Sequence, residues 1–279
     1  VSHLRWSSRP HLDQPILVAG FEGWNDAGDA ASGAIDHLVD HWGAVPFADV
    51  DPEDFYDFTA TRPHVRIDEG NLRRIDWPAN RFTWAAPPGS PPVILLRGIE
   101  PQLRWRTFGE QVLEVASTLR VRLVLTLGAL LADVPHTRPT SVYGTADDPK
   151  VIDALGLEPS RYEGPTGIVG VLHAACRDGG VNSASLWAAV PSYVGAAPSP
   201  KATLALVERV AAILGTPPPV GPLPDAAAAY EDQIDQLVAE DPETVSYVEH
   251  LEATHDREAL AGSGGADIVA EIERFLREQ

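Results

Sequence analysis

Lysine and cysteine are nearly missing from this 279-residue sequence. A single cysteine, Cys176, excludes an internal disulfide and any multi-cysteine zinc site. The basic residues are almost all arginine, with Lys150 and Lys201 the only lysines, a pattern of GC-rich coding rather than of chemistry. Positive charge is scarce altogether: 21 Lys and Arg face 40 Asp and Glu, a formal net charge of −19. Phosphate would be repelled, so nucleic acid is excluded as the main partner. No apolar run reaches the roughly 18 residues of a membrane span. The opening stretch "VSHLRWSSRPHLDQP" lacks the apolar core of a signal, so export is not expected and the cytoplasm is the expected location. G-x-S-x-G, G-x-G-x-x-G and P-loop motifs are absent, and no cofactor is expected.

What is present is an alternation of strand and helix. Hydrophobic content is 44%, ordinary for a packed globular chain. "PILVAGF" (15–21), "PPVILLRGIEP" (91–101), "VRLVLTLGALL" (121–131) and "SASLWAAVPSY" (183–193) read as buried parallel strands. "AVPFADV" (44–50) and "FYDFTA" (55–60) are weaker strand signals. Helical periodicity covers 27–42, 103–119, 164–180 and 199–215, with Asp26 a candidate N-cap and Gly43 a stop. The fold class is therefore α/β, a mostly parallel sheet with helices on both faces.

One segment breaks the order within the expected α/β core, residues 1–215. "HVRIDEGNLRRIDWPANRFTWAA" (64–86) alternates around Glu69-Gly70-Asn71 and reads as an inserted β-hairpin. Its Val65, Ile67, Leu72, Ile75, Trp77, Phe82 and Trp84 must pack on the body or on another subunit. "TPPPVGPLP" (216–224) is a stiff proline linker. Beyond it, 225–279 holds 15 Asp and Glu against 3 Arg and three short helical patterns, at 225–239, about 242–260 and 267–277. Such helices are marginal alone, so their apolar residues need somewhere to dock.

In open parallel sheets, function gathers at the strand carboxyl ends. Here those ends carry Glu22, Trp24, Asn25 and Asp26 after the first strand, and Arg97 and Glu100 after the second. His136 and Arg138 follow the third, and Tyr193 the last. "YEGPTG" (162–167) adds Glu163 and Thr166 at a helix start. Each has a plainer reading: Asp26 as a helix cap, Trp24 as a cover for the sheet edge, "PHTRP" as a rigid loop. His37 and His41 stand four apart, yet they flank Asp36 and Asp40 opposite the apolar stripe. A solvated helix face is expected there, and no metal. Cys176 lies near the C-terminal end of its helix, where the dipole disfavours a thiolate, so a buried structural cysteine is expected.

Five strings, in order, resemble one family: "FEGWNDAGDAAS", "LLRGIEPQLRWRTF", "LGALLADVPHTRPTSVYGTA", "YEGPTGIVGVLHAACRDGGVNSASLWAAVPSYV" and "SPKATLALVERV". The family is the bacterial branch of the proteasome-assembly-chaperone-2 proteins. The resemblance implies a core like that of purine nucleoside phosphorylases and certain hydrolases, and a homotrimer. It also implies a hairpin used in assembly and a C-terminal helical lid over a ligand cleft. It implies no known reaction. The chain departs from three patterns. It ends "RFLREQ" rather than in a hydrophobic-tyrosine-X tail. Glu22 and Asp26 would repel phosphate at the first turn. Its lone cysteine is misplaced for a cysteine peptidase.

The leading expectation is a non-catalytic, trimeric assembly factor that holds a protein client or a small ligand. The alternative is an enzyme, with Glu22 or Asp26 as general base, His136 as acid and Arg138 as anion holder.

Overall fold

The computed structural model describes residues 2–67, 72–160, 162–194 and 197–261. The chain begins with β1 (Leu4–Trp6), β2 (Ile16–Glu22), α1 (Ala30–His41) and β3 (Val45–Val50). Next come β4 (His64–Ile67), β5 (Arg73–Asp76), β6 (Asn80–Ala85), β7 (Val93–Ile99) and α2 (Trp105–Thr118). They are followed by β8 (Leu123–Ala132), β9 (Val142–Ala146), α3 (Pro149–Leu155), β10 (Glu158–Pro159) and α4 (Ile168–Asp178). The last elements are β11 (Ser183–Pro191), α5 (Pro200–Leu214), α6 (Leu223–Ala239) and α7 (Pro242–Ala261). Nine strands form one sheet in the order β1-β3-β6-β7-β2-β8-β11-β9-β10, and β4 pairs only with β5.

The sheet is parallel at its centre, where β7, β2, β8 and β11 run together, and mixed towards both edges. The central strands are the continuous apolar runs, buried on both faces. Side chains alternate between two cores. Ile16 and Val18 meet α1 and α5, while Leu17, Ala19 and Phe21 meet α2 and α4. Gly20 lets α1 lie close, because a Cβ there would sit 2.7 Å from Ile35 and 2.8 Å from the Ala31 carbonyl.

Two sequence expectations change. Residues 55–60 form turns rather than a strand. Phe55 is buried against Phe108, ring centroids 5.6 Å apart, and the Tyr56 hydroxyl donates to the Ile99 carbonyl at 2.6 Å. Asp57 then accepts from the Thr59 N–H at 2.8 Å, a side-chain-to-backbone bond that competes with a ladder. The second change concerns 64–86. The two-stranded ribbon ends at Asp76, and Asn80–Ala85 is instead a strand of the large sheet between β3 and β7. Phe82 is thereby buried.

α6 and α7 agree with the first two tail helices. The third, at 267–277, and the hairpin tip Glu69-Gly70-Asn71 lie outside the described residues. The linker does not stand free of the body. Thr216 donates to the Pro88 carbonyl at 3.2 Å, and His37 Nε2 bonds the Pro219 carbonyl. His37 is thus half-covered by the linker rather than fully solvated.

Phe55→Ala should lower stability by about 3–5 kcal/mol, as expected for a buried aromatic. Urea unfolding checks this, and a loss below about 1 kcal/mol would mean that the 55–60 segment stands outside the core.

Candidate functional site

The turn after β2 is built around Glu100, which follows β7. Gly23 has φ +134°, and a Cβ there would sit 2.9 Å from Glu100 Cβ. The freed space lets the Glu100 carboxylate reach two backbone donors. Oε1 accepts from the Ile168 N–H at 2.8 Å, which opens α4, and Oε2 from the Trp24 N–H at 3.4 Å. Glu22 turns the other way and pairs with Arg97, whose Nε donates to both oxygens of Asp36 on α1 at 2.9 Å. Asp26 is buried and caps α1, accepting from the N–H of Ala31 at 2.7 Å and of Ser32 at 3.1 Å. Burial raises its pKa from the ordinary carboxylate value.

Beside α4, over β9 and β11, lies a cavity of about 370 Å³. Trp24, Trp187, Tyr143 and Tyr162 line its walls, with Asn25 and Thr166 at the β2–α4 side. It exists because β11 changes character across the sheet. Ala184, Leu186 and Ala188 join the core under α5, while Ser185 and Trp187 line the cavity on the opposite face. Gly128 on the neighbouring strand makes room for the Trp187 ring, which a Cβ would meet at 2.5 Å.

The cavity's main polar group is His173 of α4, half-buried and bonded to buried hydroxyls. Its Nδ1 bonds Ser183 Oγ at 2.8 Å. Its Nε2 bonds Ser185 Oγ at 2.6 Å and Thr126 Oγ1 at 3.0 Å. Desolvation pushes its pKa down to about 4, so the imidazole is neutral. Cys176, one turn further along, is buried, and its thiol is pushed up to about 11, which suits an inert structural cysteine.

His136, Arg138 and Tyr193 form a second group, under the C-terminal helices. The buried His136 ring bonds the Tyr193 hydroxyl through Nδ1 at 2.6 Å and Asp235 of α6 through Nε2 at 2.9 Å. Arg138 donates from Nε and Nη2 to the two oxygens of Asp256 on α7, each at 2.8 Å. Its Nη1 donates to Glu252 at 3.3 Å. This pairing holds the Asp256 carboxyl down at about 2. Lys201 pairs with Glu231, and the Tyr247 hydroxyl donates to Asp133 at 2.9 Å. The void left here is about 10 Å³, too small for a ligand.

The predicted site residues thus divide. Trp24, Asn25 and Thr166 share the open cavity. Glu100 braces its mouth, and Glu163 is exposed on the loop beside it, outside the lining. His136, Arg138 and Tyr193 lie under α6 and α7. Glu22 and Asp26 face Arg97 and the start of α1. Neither acid is paired with His136 or Arg138, as the enzyme arrangement requires. The sequence reading missed His173, Ser185, Thr126, Tyr143 and Trp187.

The PAC2 family profile matches residues 20–238. The chain belongs to the PAC2 family. It is 50% identical to a PAC2 family protein from Streptomyces avermitilis of known structure, matched over 84% of this chain and 99% of that one with a TM-score of 0.79. A proteasome-assembly chaperone homologue from Mycobacterium tuberculosis is 47% identical over the same shares, with a TM-score of 0.76. These relatives place it in the bacterial branch of PAC2. An archaeal proteasome activator from Pyrococcus furiosus, 18% identical, shares the fold, with a TM-score of 0.67 over 84% of this chain and 97% of that one. Comparison with curated proteins finds no match. Among the described residues of this PAC2 chain, no helix is long and apolar enough to cross a membrane, and no group of three or more His, Cys, Asp or Glu could hold a metal ion.

His173 makes the PAC2 fold pH-sensitive. Its folded pKa lies below the unfolded value of 6.5, so its contribution is full above pH 6.5 and is lost as pH falls towards 4. The loss amounts to roughly 3 kcal/mol. Urea unfolding of the wild type against His173→Asn should show this difference shrinking between pH 7 and pH 4.5. A constant difference would mean that the ring is solvated.

Proposed function

We propose that this PAC2-family chain is a non-catalytic assembly factor that acts as a homotrimer on a protein client in the cytoplasm. The observation that carries the reading is the β4–β5 ribbon. Val65 stands opposite Ile75, with Ile67 two residues along the same face. These side chains and Leu72 and Trp77 are 47–64% exposed. One ring contact, Trp77 against Phe58 at 4.9 Å, ties the ribbon to the body. A two-stranded ribbon is at best marginally stable alone, and a contiguous apolar face of this kind marks a protein contact. The family supports the same reading, since a close relative is a proteasome-assembly chaperone homologue.

The enzyme alternative has less to support it. Glu22, Asp26, His136 and Arg138 each hold parts of the chain together, and no pair of them opens on the cavity. Residues 1–215 act as the core and 216–224 as the linker. The acidic helices from 225 onward form a lid over the ends of β8 and β11, held by a polar clasp on His136, Arg138 and Lys201. Ligand contact falls to the Trp24, Asn25 and Thr166 side.

Two outcomes are expected. In multi-angle light scattering at micromolar concentration the wild type should run as a trimer, and Trp77→Asp or Ile75→Asp as smaller species. A monomeric wild type would falsify the assembly reading. For the lid, the Arg138→Ala/Lys201→Ala variant should speed amide exchange across 223–261 at least tenfold, with β8 amides unchanged. Equal rates in the two proteins would mean that these helices do not open as a unit.

A further inference from the structure

The cavity beside α4 carries an inference about ligand class. It deepens the reading of Trp24, Asn25 and Thr166 as ligand contacts and rests on it. At about 370 Å³ the space is at the small end of ligand pockets, enough for one or two rings. Indole and phenol side chains line it, surfaces on which a flat ring stacks.

Its charges cancel. Among the described residues, Asp147 and Arg177 are the charged lining groups, and they face each other at 3.5 Å. The floor is the neutral His173 with its hydroxyl partners. An anion is disfavoured at the start of α4, because the Glu100 carboxylate already sits there, accepting from the Ile168 N–H. A cation finds no carboxylate in the described lining without a guanidinium beside it.

The floor still has a polar position to offer. A hydroxyl has one donor and two acceptor positions. Ser185 Oγ uses one on His173 Nε2 and one on Thr126 Oγ1, at 3.2 Å. Whichever tautomer His173 adopts, one position remains, and Ser185 lines the cavity. Asn25, itself buried, adds a side-chain amide to the lining.

We propose that the cavity between α4 and β11 binds an uncharged aromatic ring carrying one hydrogen-bonding group, of the phenol class. The ring lies among Trp24, Trp187, Tyr143 and Tyr162, and its polar group meets Ser185. Two sources carry this chemistry, a free small phenol and the tyrosine side chain of a protein partner.

The test is saturation-transfer NMR on the full chain with p-cresol, using benzoate and tetramethylammonium as charged comparators. Transfer to p-cresol alone is expected. Ser185→Ala should weaken its affinity about fivefold, the loss of one hydrogen bond. Ala174→Phe should abolish binding, because it fills the cavity from α4 and leaves Ser185, Thr126 and His173 in place. This second variant keeps the test decisive if Ser185→Ala folds poorly, and circular dichroism confirms its fold. N-acetyl-tyrosine amide separates the sources. Its binding assigns the site to a partner's tyrosine, and its exclusion with p-cresol retained assigns it to a free phenol. No transfer to p-cresol, stronger transfer to either ion, or unchanged transfer in folded Ala174→Phe overturns the proposal. No described residue of the ribbon lines the cavity, so a trimer that fails to bind p-cresol and a monomer that binds it separate this idea from the assembly reading.

Discussion

The Glu100 carboxylate holds together the pieces that make the cavity mouth. Its own N–H donates to the Glu22 carbonyl at 2.8 Å, which brings the ends of β7 and β2 level. Its side chain then joins Trp24 to the first residue of α4. α4 begins after Gly167, which has no side chain to cap the helix. A Cβ at Gly167 would collide with Glu100 at 2.7 Å and with Asn25 at 2.5 Å. The bare glycine and the distant acid are therefore one device, in which a strand-end carboxylate takes the place of a local N-cap. It also fixes what the site can hold. A helix start that would attract phosphate is already occupied by a fixed negative charge. The sequence reading expected Glu22 and Asp26 to repel phosphate at this turn, whereas they serve Arg97 and the start of α1.

The central sheet was legible because β2, β7 and β8 are apolar over most of their length, short runs of the kind that parallel strands buried on both faces carry. β11 was legible as a strand but not as a wall. In "SASLWAAVP" two serines look like small neutral residues in an apolar run. Only the strand's place beside β9, past the reach of α2, turns Ser185 and Trp187 into cavity lining. His173 was equally hidden, since a histidine within "VLHAAC" reads as one more residue of an amphipathic helix. Its partners come from β8 and β11, and no local spacing predicts them. The strand-end residues divide between two places for a related reason. Four carboxyl ends along one sheet edge span more than one site, and the tail claims the β8 and β11 end. Residues 55–60 misled because aromatic content favours a strand, while here the same aromatics serve to plug the α2 core.

Charge explains where the tail rests. Residues 225–279 hold 15 acidic residues against 3 arginines, in a chain that has little positive charge to offer them. His136, Arg138 and Lys201 converge beneath α6 and α7, and each meets a tail carboxylate. Lys201 occupies the first turn of α5, where the helix dipole disfavours a cation. Its contacts with Glu231 and the His136 carbonyl offset that cost. One of the only two lysines in the chain is thus explained by the tail rather than by its own helix.

The two appendages meet the body by opposite physics. The tail buries Ala227, Tyr230, Ile234, Val248 and Leu251 and sets Tyr247 edge-on to Tyr193, and to these it adds ionic and hydrogen-bonded contacts with His136, Arg138 and Lys201. The charged and hydrogen-bonded groups can be solvated again when they part, so on the lid reading the cost of opening lies in the buried apolar side chains and the His136 bond. The ribbon is the reverse case. Val65, Ile67 and Ile75 gain nothing from water, and every hour spent exposed invites non-specific association. On the assembly reading, the ribbon therefore belongs to a contact that forms once and stays formed. On the same reading the tail is the part that moves, and its opening would change the accessible surface at the β8 and β11 ends without disturbing the oligomer.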